Sequence, residues 1–194
     1  MTDYLPVYVL RHGQTKWNVQ NRLHGHKDSP LTPLGRRQAQ QQHAVLERCQ
    51  LAGFRAYSSP QTRAVVSATI AFGEMFPDIH TDDRLREIGI GEWAGQFRQD
   101  VGMDRPFDAT CEVGLDRYEQ APGGEGFAAL ADRCTQFLER LTDPAVIMTH
   151  GVTSRMLRLM WLRQDINQIG RIDGGQGVVF QLRDNRQHRL TIGA

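Results

Sequence analysis

The stretch Val7-Tyr8-Val9-Leu10-Arg11-His12-Gly13 constrains this chain most, because an apolar run stops there at a charged pair and a glycine. Four consecutive large apolar residues predict a strand buried on both faces. Strands of that kind belong to parallel sheets covered by helices, and such sheets keep their ligand crevice beyond the strands' carboxyl ends. Gly13 lets the backbone turn and approach a ligand closely. Arg11 offers a planar fork for a phosphate or carboxylate. His12 beside it can act as nucleophile, base or proton donor. A strand ending in a solvated Arg-His-Gly turn would carry the same tripeptide, so the rest of the chain has to decide.

A second copy of the theme does much of the deciding. Ala145-Val146-Ile147-Met148-Thr149 again reads as a buried strand, and it ends in His150-Gly151. Thr153 and Ser154 are expected to cap a helix from Arg155 to about Leu162. Two parallel strands can be neighbours, so His12 and His150 can converge on one crevice.

The intervening chain supplies partners. Lys16 to Pro30 is polar, rich in turn residues and without helical period, and reads as a long loop. Thr32 as cap and Pro33 at the first position open a helix that should run to about Arg48. Phe54 to Tyr57 is a short strand candidate, followed by Ser58-Ser59-Pro60, read as a serine cap and first-position proline of another helix. Arg63 falls in that helix's first turn, where a cation is unfavourable unless an anion binds there. Leu85 to Gly95 carries three glycines and a tryptophan, and offers Glu87 and Glu92 as candidate acids. Residues 96–124 are polar and irregular, and read as an insertion over the site that shapes substrate choice. Beyond Glu125, Phe127, Leu130, Ala131, Cys134, Phe137, Leu138 and Leu141 share one face of a helix, a core stripe. Gly177–Leu182 and Arg189–Ile192 read as a hairpin turning at Asp184-Asn185.

Composition narrows the function classes. A chain of 194 residues suggests a single domain, here 1–194, with a modest insertion. A formal net charge of +1 argues against nucleic acid or an anionic membrane as main partner. Cys49, Cys111 and Cys134 show neither a disulfide framework nor a zinc pattern. With no signal-peptide pattern, they suggest a reducing compartment, and a cytoplasmic location is expected. His24 and His26 flank Gly25, but a partner cluster with metal-ligand spacing is missing, so neither metal nor other cofactor is expected.

Two strand-end histidines, two arginines and an acid fit phosphoryl transfer. Arg11 and Arg63 can hold the oxygens, and a neutral His12 nitrogen can attack phosphorus. A protonated His150 can stabilise equatorial charge. Glu87 can protonate the leaving oxygen and then activate water.

Arg11-His12-Gly13-Gln14-Thr15, Trp17-Asn18, Gly25 and Asp28 through Thr32 together resemble the opening block of the histidine phosphatase superfamily, which includes the phosphoglycerate mutases. Ser58-Ser59-Pro60 with Arg63, Leu85 to Gly95, Pro122-Gly123-Gly124-Glu125, and Thr149-His150-Gly151 with Arg155 resemble its later blocks, in the family's order. The resemblance implies an α/β fold, a three-layer α/β/α sandwich with a mostly parallel sheet, and a phosphohistidine mechanism. It implies His12 as nucleophile, Arg11, Arg63 and His150 as phosphate binders, and Glu87 as proton donor. Asn18, Thr15, His24, Gly25 and the Gly151 amide are implied on the substrate side. Ala94, Gly126, His24 and Gly174 depart from the family's usual residues, and these departures concern the substrate pocket.

The short chain and small insertion favour a phosphomonoesterase acting on a small phosphorylated metabolite. A bisphosphate-primed mutase must keep water from its phosphoenzyme, which a short insertion does less well. A non-catalytic phosphate-binding module is the remaining alternative, and it has no need of the acid or nucleophile. Substrate identity and oligomeric state stay open at this point.

Overall fold

The structure, a computed structural model, describes residues 4–103 and 115–192. One six-stranded sheet organises them. Its strands are β1 (Val7–Arg11), β2 (Arg55–Ser58), β3 (Ile79–Thr81), β4 (Ala145–Thr149), β5 (Val179–Arg183) and β6 (Arg186–Leu190). The spatial order is β3-β2-β4-β1-β5-β6, with β1 to β4 parallel and β5 and β6 antiparallel at one side. β1 and β4, the two runs singled out above, are adjacent, central and wholly buried.

The helices are α1 (Lys16–Val19), α2 (Pro33–Leu46), α3 (Thr62–Phe72), α4 (Gly126–Glu139) and α5 (Gly151–Trp161). Alternation along the central strands feeds two cores. Tyr8, Leu10, Val146 and Met148 pack with Leu46, Ala64, Ala68 and Phe72 of α2 and α3. Val7, Val9, Ala145 and Ile147 pack with Leu130, Cys134, Phe137, Val152 and Met156 of α4 and α5. The result is three layers, helices on both faces of a mostly parallel sheet.

Register delivers the site. Arg11 pairs with Thr149, so His12 and His150 follow side by side, and the His12 N–H donates to the Thr149 carbonyl at 3.0 Å. Ser58 pairs with Met148, and the Ser59 N–H donates to the Met148 carbonyl at 2.9 Å. Three parallel strand ends therefore lie in a row.

Local chemistry corrects several expectations. The segment read as loop opens with α1, because Thr15 and Asn18 form a reciprocal capping box that a search for apolar period cannot see. α3 is capped at Gln61, with no side-chain cap bond, so Pro60 precedes the helix instead of opening it, and Ser58 and Ser59 are not its caps. α5 starts at Gly151 with His150 at the N-cap position, so Thr153 and Ser154 lie inside the helix. α2 ends at Leu46, close to the expected end. The short strand β3 had no counterpart in the sequence reading. The hairpin turn is at Asp184-Asn185, both at positive φ (51° and 57°) as a tight two-residue turn requires. Of the segment 96–124, residues 104–114 lie outside the described residues, and short 3₁₀ turns cover Gln99–Val101 and Leu115–Gln120.

Candidate active site

A narrow recess of about 40 Å³ opens beyond these strand ends, lined by Arg11, His12, Asn18, His24, Gly25, Arg63 and Glu87 among others. His12 is buried, and its Nδ1 lies 2.7 Å from the Gly13 carbonyl oxygen. A carbonyl can only accept, so Nδ1 carries the proton and Nε2 carries the lone pair. The Arg63 Nε–H donates to that Nε2 at 3.3 Å. Burial, then the charges of Arg63 and Arg11, push the His12 pKa well below its ordinary value. His12 is thus held toward the neutral imidazole, with its unprotonated nitrogen facing Arg63.

Arg63 stands in the first turn of α3 and is fully buried as a side chain. Its Nη1 donates to the Lys27 carbonyl at 2.9 Å and to Asp28 Oδ1 at 3.0 Å, and its Nη2 donates to the Gly25 carbonyl at 3.1 Å. Burial opposes the charge on Arg63, while Asp28 and Glu87 support it. The loop from Gly25 to Asp28 thereby aims the fork. Arg11, at the end of β1, lays its guanidinium against the start of α5: a Cβ built on Gly151 would sit 2.8 Å from Arg11 Cζ. Two cations thus stand at the positive ends of two helices, which is a strong anion site.

His150 is completely buried, 5.1 Å from His12 between ring centroids, and does not itself line the recess. Its Nε2 is 2.7 Å from Ser59 Oγ. Burial, then Arg63 and His12, lower its pKa well below the usual histidine value. In this arrangement burial and the neighbouring cations favour the neutral form of both strand-end histidines.

Glu87 reaches the start of α5. Its carboxylate accepts from the N–H groups of Val152 (3.3 Å) and Thr153 (3.1 Å) and lies 3.0 Å from Thr153 Oγ1, whose single proton points to the nearer Arg86 carbonyl. Glu92 is exposed and does not line the recess. Asn18 Oδ1 accepts from Thr15 N–H at 3.0 Å and from Gln176 at 3.3 Å, which leaves the amide nitrogen for a ligand. Thr15 is fully buried behind the wall. Its hydroxyl is 2.8 Å from His24 Nε2, so it orients Asn18 and His24 instead of facing the recess. His24 lies among the same cations, and burial with Arg63 and Arg11 pushes its pKa down to about 3. Gly25 is at φ +50°, and its carbonyl holds Arg63 and Gln61. Among the described residues no group of three or more His, Cys, Asp or Glu could hold a metal ion, and His26 is exposed.

Four further residues take part that no sequence motif marks. Ser59 pairs with His150 instead of capping α3. Gln61 donates to the Gly25 carbonyl (2.9 Å) and accepts from the Glu87 N–H (2.7 Å), so one buried amide ties the arginine loop to the acid. Arg98 and Tyr118 line the recess and bond each other at 3.2 Å. Only the polar character of 96–124 could have hinted at the last pair.

The family model of the histidine phosphatase superfamily (branch 1) matches residues 7–190. This chain belongs to that superfamily. It is 35% identical over 198 residues to phosphoglycerate mutase-like protein 4 of Arabidopsis thaliana, covering 98% of this chain and 85% of that one. It is 47% identical over 156 residues to the probable phosphoglycerate mutase GpmB of Proteus mirabilis, covering 76% and 70%. Among solved structures it resembles a mycobacterial glucosyl-3-phosphoglycerate phosphatase in complex with VO3, with a TM-score of 0.78, 28% identity and coverage of 98% and 99%. It shares the fold of an alpha-ribazole phosphatase from Shigella flexneri, with a TM-score of 0.77 and 23% identity over 98% and 96% of the chains. Among the described residues no helix is long and apolar enough to cross a membrane.

Proposed function

We propose that this histidine phosphatase is a metal-independent phosphomonoester hydrolase acting on a small phosphorylated metabolite through a phosphohistidine. The observation that carries the reading is the unprotonated Nε2 of His12, fixed by the Gly13 carbonyl and set among buried cations. Arg11 and Arg63, with the Asn18 amide, hold the phosphoryl oxygens. His12 Nε2 attacks phosphorus in line, the P–O ester bond breaks, and the leaving oxygen takes a proton from Glu87. A water then attacks the phosphohistidine, giving its proton to Glu87. The P–N bond breaks and inorganic phosphate leaves.

The dianion also answers the electrostatics of the site. Bound next to His150, it favours the protonated form of that histidine, so His150 gains its charge when there is negative charge to stabilise, while His12 keeps Nε2 unprotonated for attack. Gly25 and His24 line the mouth, the Gly151 amide adds to the positive helix end, and Thr15 acts through Asn18. The segment 96–124 brings Arg98 and Tyr118 to the recess and is assigned to substrate choice. A cytoplasmic enzyme whose partner is its small substrate, with no nucleic acid or membrane, fits the near-neutral charge.

The test is phosphate release from a panel of phosphomonoesters by the wild type and His12→Ala, with and without chelator. Turnover that survives the chelator and falls by about 10³-fold or more in the variant is the expected result. Turnover abolished by the chelator and restored by a divalent ion would overturn it. The names of the relatives favour one second reading, the mutase. Absence of hydrolysis together with bisphosphate-dependent interconversion of 3- and 2-phosphoglycerate would establish that reading.

A further inference from the structure

The segment 84–89 carries Glu87 across the site, and most of it has no regular secondary structure. Its backbone groups therefore need other partners. Consecutive side chains provide them. The Leu85 carbonyl accepts from Thr149 Oγ1 (2.7 Å), the Arg86 carbonyl from Thr153 Oγ1 (2.7 Å), and the Glu87 N–H donates to Gln61 (2.7 Å). These bonds fasten the middle of the strap to β4, α5 and α3. Both ends are fastened to α4. The Arg84 carbonyl accepts from Arg133 Nη1, and the Gly89 N–H donates to Glu125 Oε2 at 2.9 Å. The Glu125 N–H in turn donates to the Gly89 carbonyl at 2.8 Å.

Arg133 and Glu125 are joined to each other by a two-pronged pair, Nε to Oε1 and Nη2 to Oε2. Both side chains are mostly buried. Burial works against the Glu125 carboxylate, but Arg133 and the Gly89 N–H outweigh it and hold its pKa below the ordinary range. A second observation shows that this carboxylate is committed to the strap. Glu125 occupies the N-cap position of α4 yet makes no cap bond. The Phe127 N–H of the helix's first turn donates to Glu119 instead.

We propose that Glu125 and Arg133 are positioning residues for the proton transfer, a single ionic clamp that grips both ends of the strap and fixes where the Glu87 carboxyl meets the leaving oxygen. The proposal rests on the reading of Glu87 as the acid. A displaced acid penalises poor leaving groups and spares good ones, whereas general loosening of the fold slows both alike.

The experiment compares an alkyl phosphate with p-nitrophenyl phosphate. The rate of the first-turnover burst of alcohol is measured, because it reports cleavage of the ester bond alone. Glu87→Gln is the control. It should slow the alkyl burst by about 10²-fold or more and the aryl burst by less than about tenfold. Glu125→Gln and Arg133→Gln should slow the alkyl burst by about tenfold and leave the aryl burst within about twofold. The double variant should lose no more than either single, since the two act as one unit. Arg133→Lys, which keeps the charge and loses the fork, should fall between. It also supplies the readout if thermal unfolding shows that Glu125→Gln does not fold.

If Glu87→Gln slows both esters equally, the reading of Glu87 fails and the clamp with it. If Glu87→Gln discriminates but the clamp variants slow both esters equally or neither, only the clamp is overturned.

Discussion

At the scale of single residues, the site depends on side chains that are small as much as on those that react. Gly151 is the plainest case. A Cβ there would sit 2.8 Å from Arg11 Cζ and 2.9 Å from its Nη2, so the guanidinium has to move. The atoms met are the far end of a flexible side chain, and alanine is the better residue inside a helix. Gly151→Ala should therefore leave thermal stability unchanged or slightly raised while weakening phosphate competition by about tenfold. A thermal melt and an inhibition constant for orthophosphate check it, and equal losses in both would count against the argument. Arg11, His12, His150 and Arg63 were legible in the sequence because each sits at the end of an apolar strand or in the first turn of a helix, whereas Glu87 lies in an irregular strap and was one of two candidate acids. Ser59 and Gln61 were not legible, since their part comes from partners 91 and 26 residues distant in the chain. No local pattern encodes such a pairing.

At the scale of elements, the turn after β1 and the first turn of α2 touch through bare backbone. A Cβ on Gly13 would lie 2.0 Å from the Gly35 carbonyl oxygen, and one on Gly35 would lie 2.1 Å from the Gln14 carbonyl oxygen. Neither backbone can retreat without moving Arg11 and His12 or the cap that Thr32 makes to the Gly35 N–H. Gly35→Ala improves helix propensity, yet it should destabilise by about 2–4 kcal/mol, because overpacking against main chain outweighs a gain below about 1 kcal/mol. Urea unfolding measures this, and an unchanged midpoint would refute it. Strands β1 and β4 and the faces of α2 and α4 were legible because burial writes a period into the sequence. Helix starts were less so. Ser58-Ser59-Pro60 has the composition of a cap, but the two serines are held at the end of β2, and capping falls to the backbone of Gln61. Strand β3 has three residues, two of them exposed, and is too short a run to show any period.

At the scale of the whole molecule, the fold gathers buried histidines around buried arginines, an arrangement that opposes histidine protonation, and pH should reveal it. His12, His24 and His150 are all neutral in the native protein because burial and the arginines oppose their charge. The unfolded chain has no such opposition, and its histidines take up protons near pH 6.5. Between that pH and the lowered native pKa, the unfolded state binds more protons than the native state. Stability is therefore fully present above about pH 6.5 and falls as the pH drops through the window, which for His24 extends to about 3. At pH 5.5 the loss is about 1 kcal/mol for each histidine. Asp28 and Glu125 act in a second, lower window. Their native pKa values are also depressed, so their contribution is lost below the ordinary carboxylate range. The urea midpoint should thus decline between pH 7.5 and 5.5, above the window in which Asp28 and Glu125 lose their contribution. Saturating orthophosphate should flatten that decline, because the bound anion lets His150 take up a proton in the native state as well. A midpoint constant over this range, or a decline that phosphate leaves untouched, would mean that the histidines are not held neutral by the site.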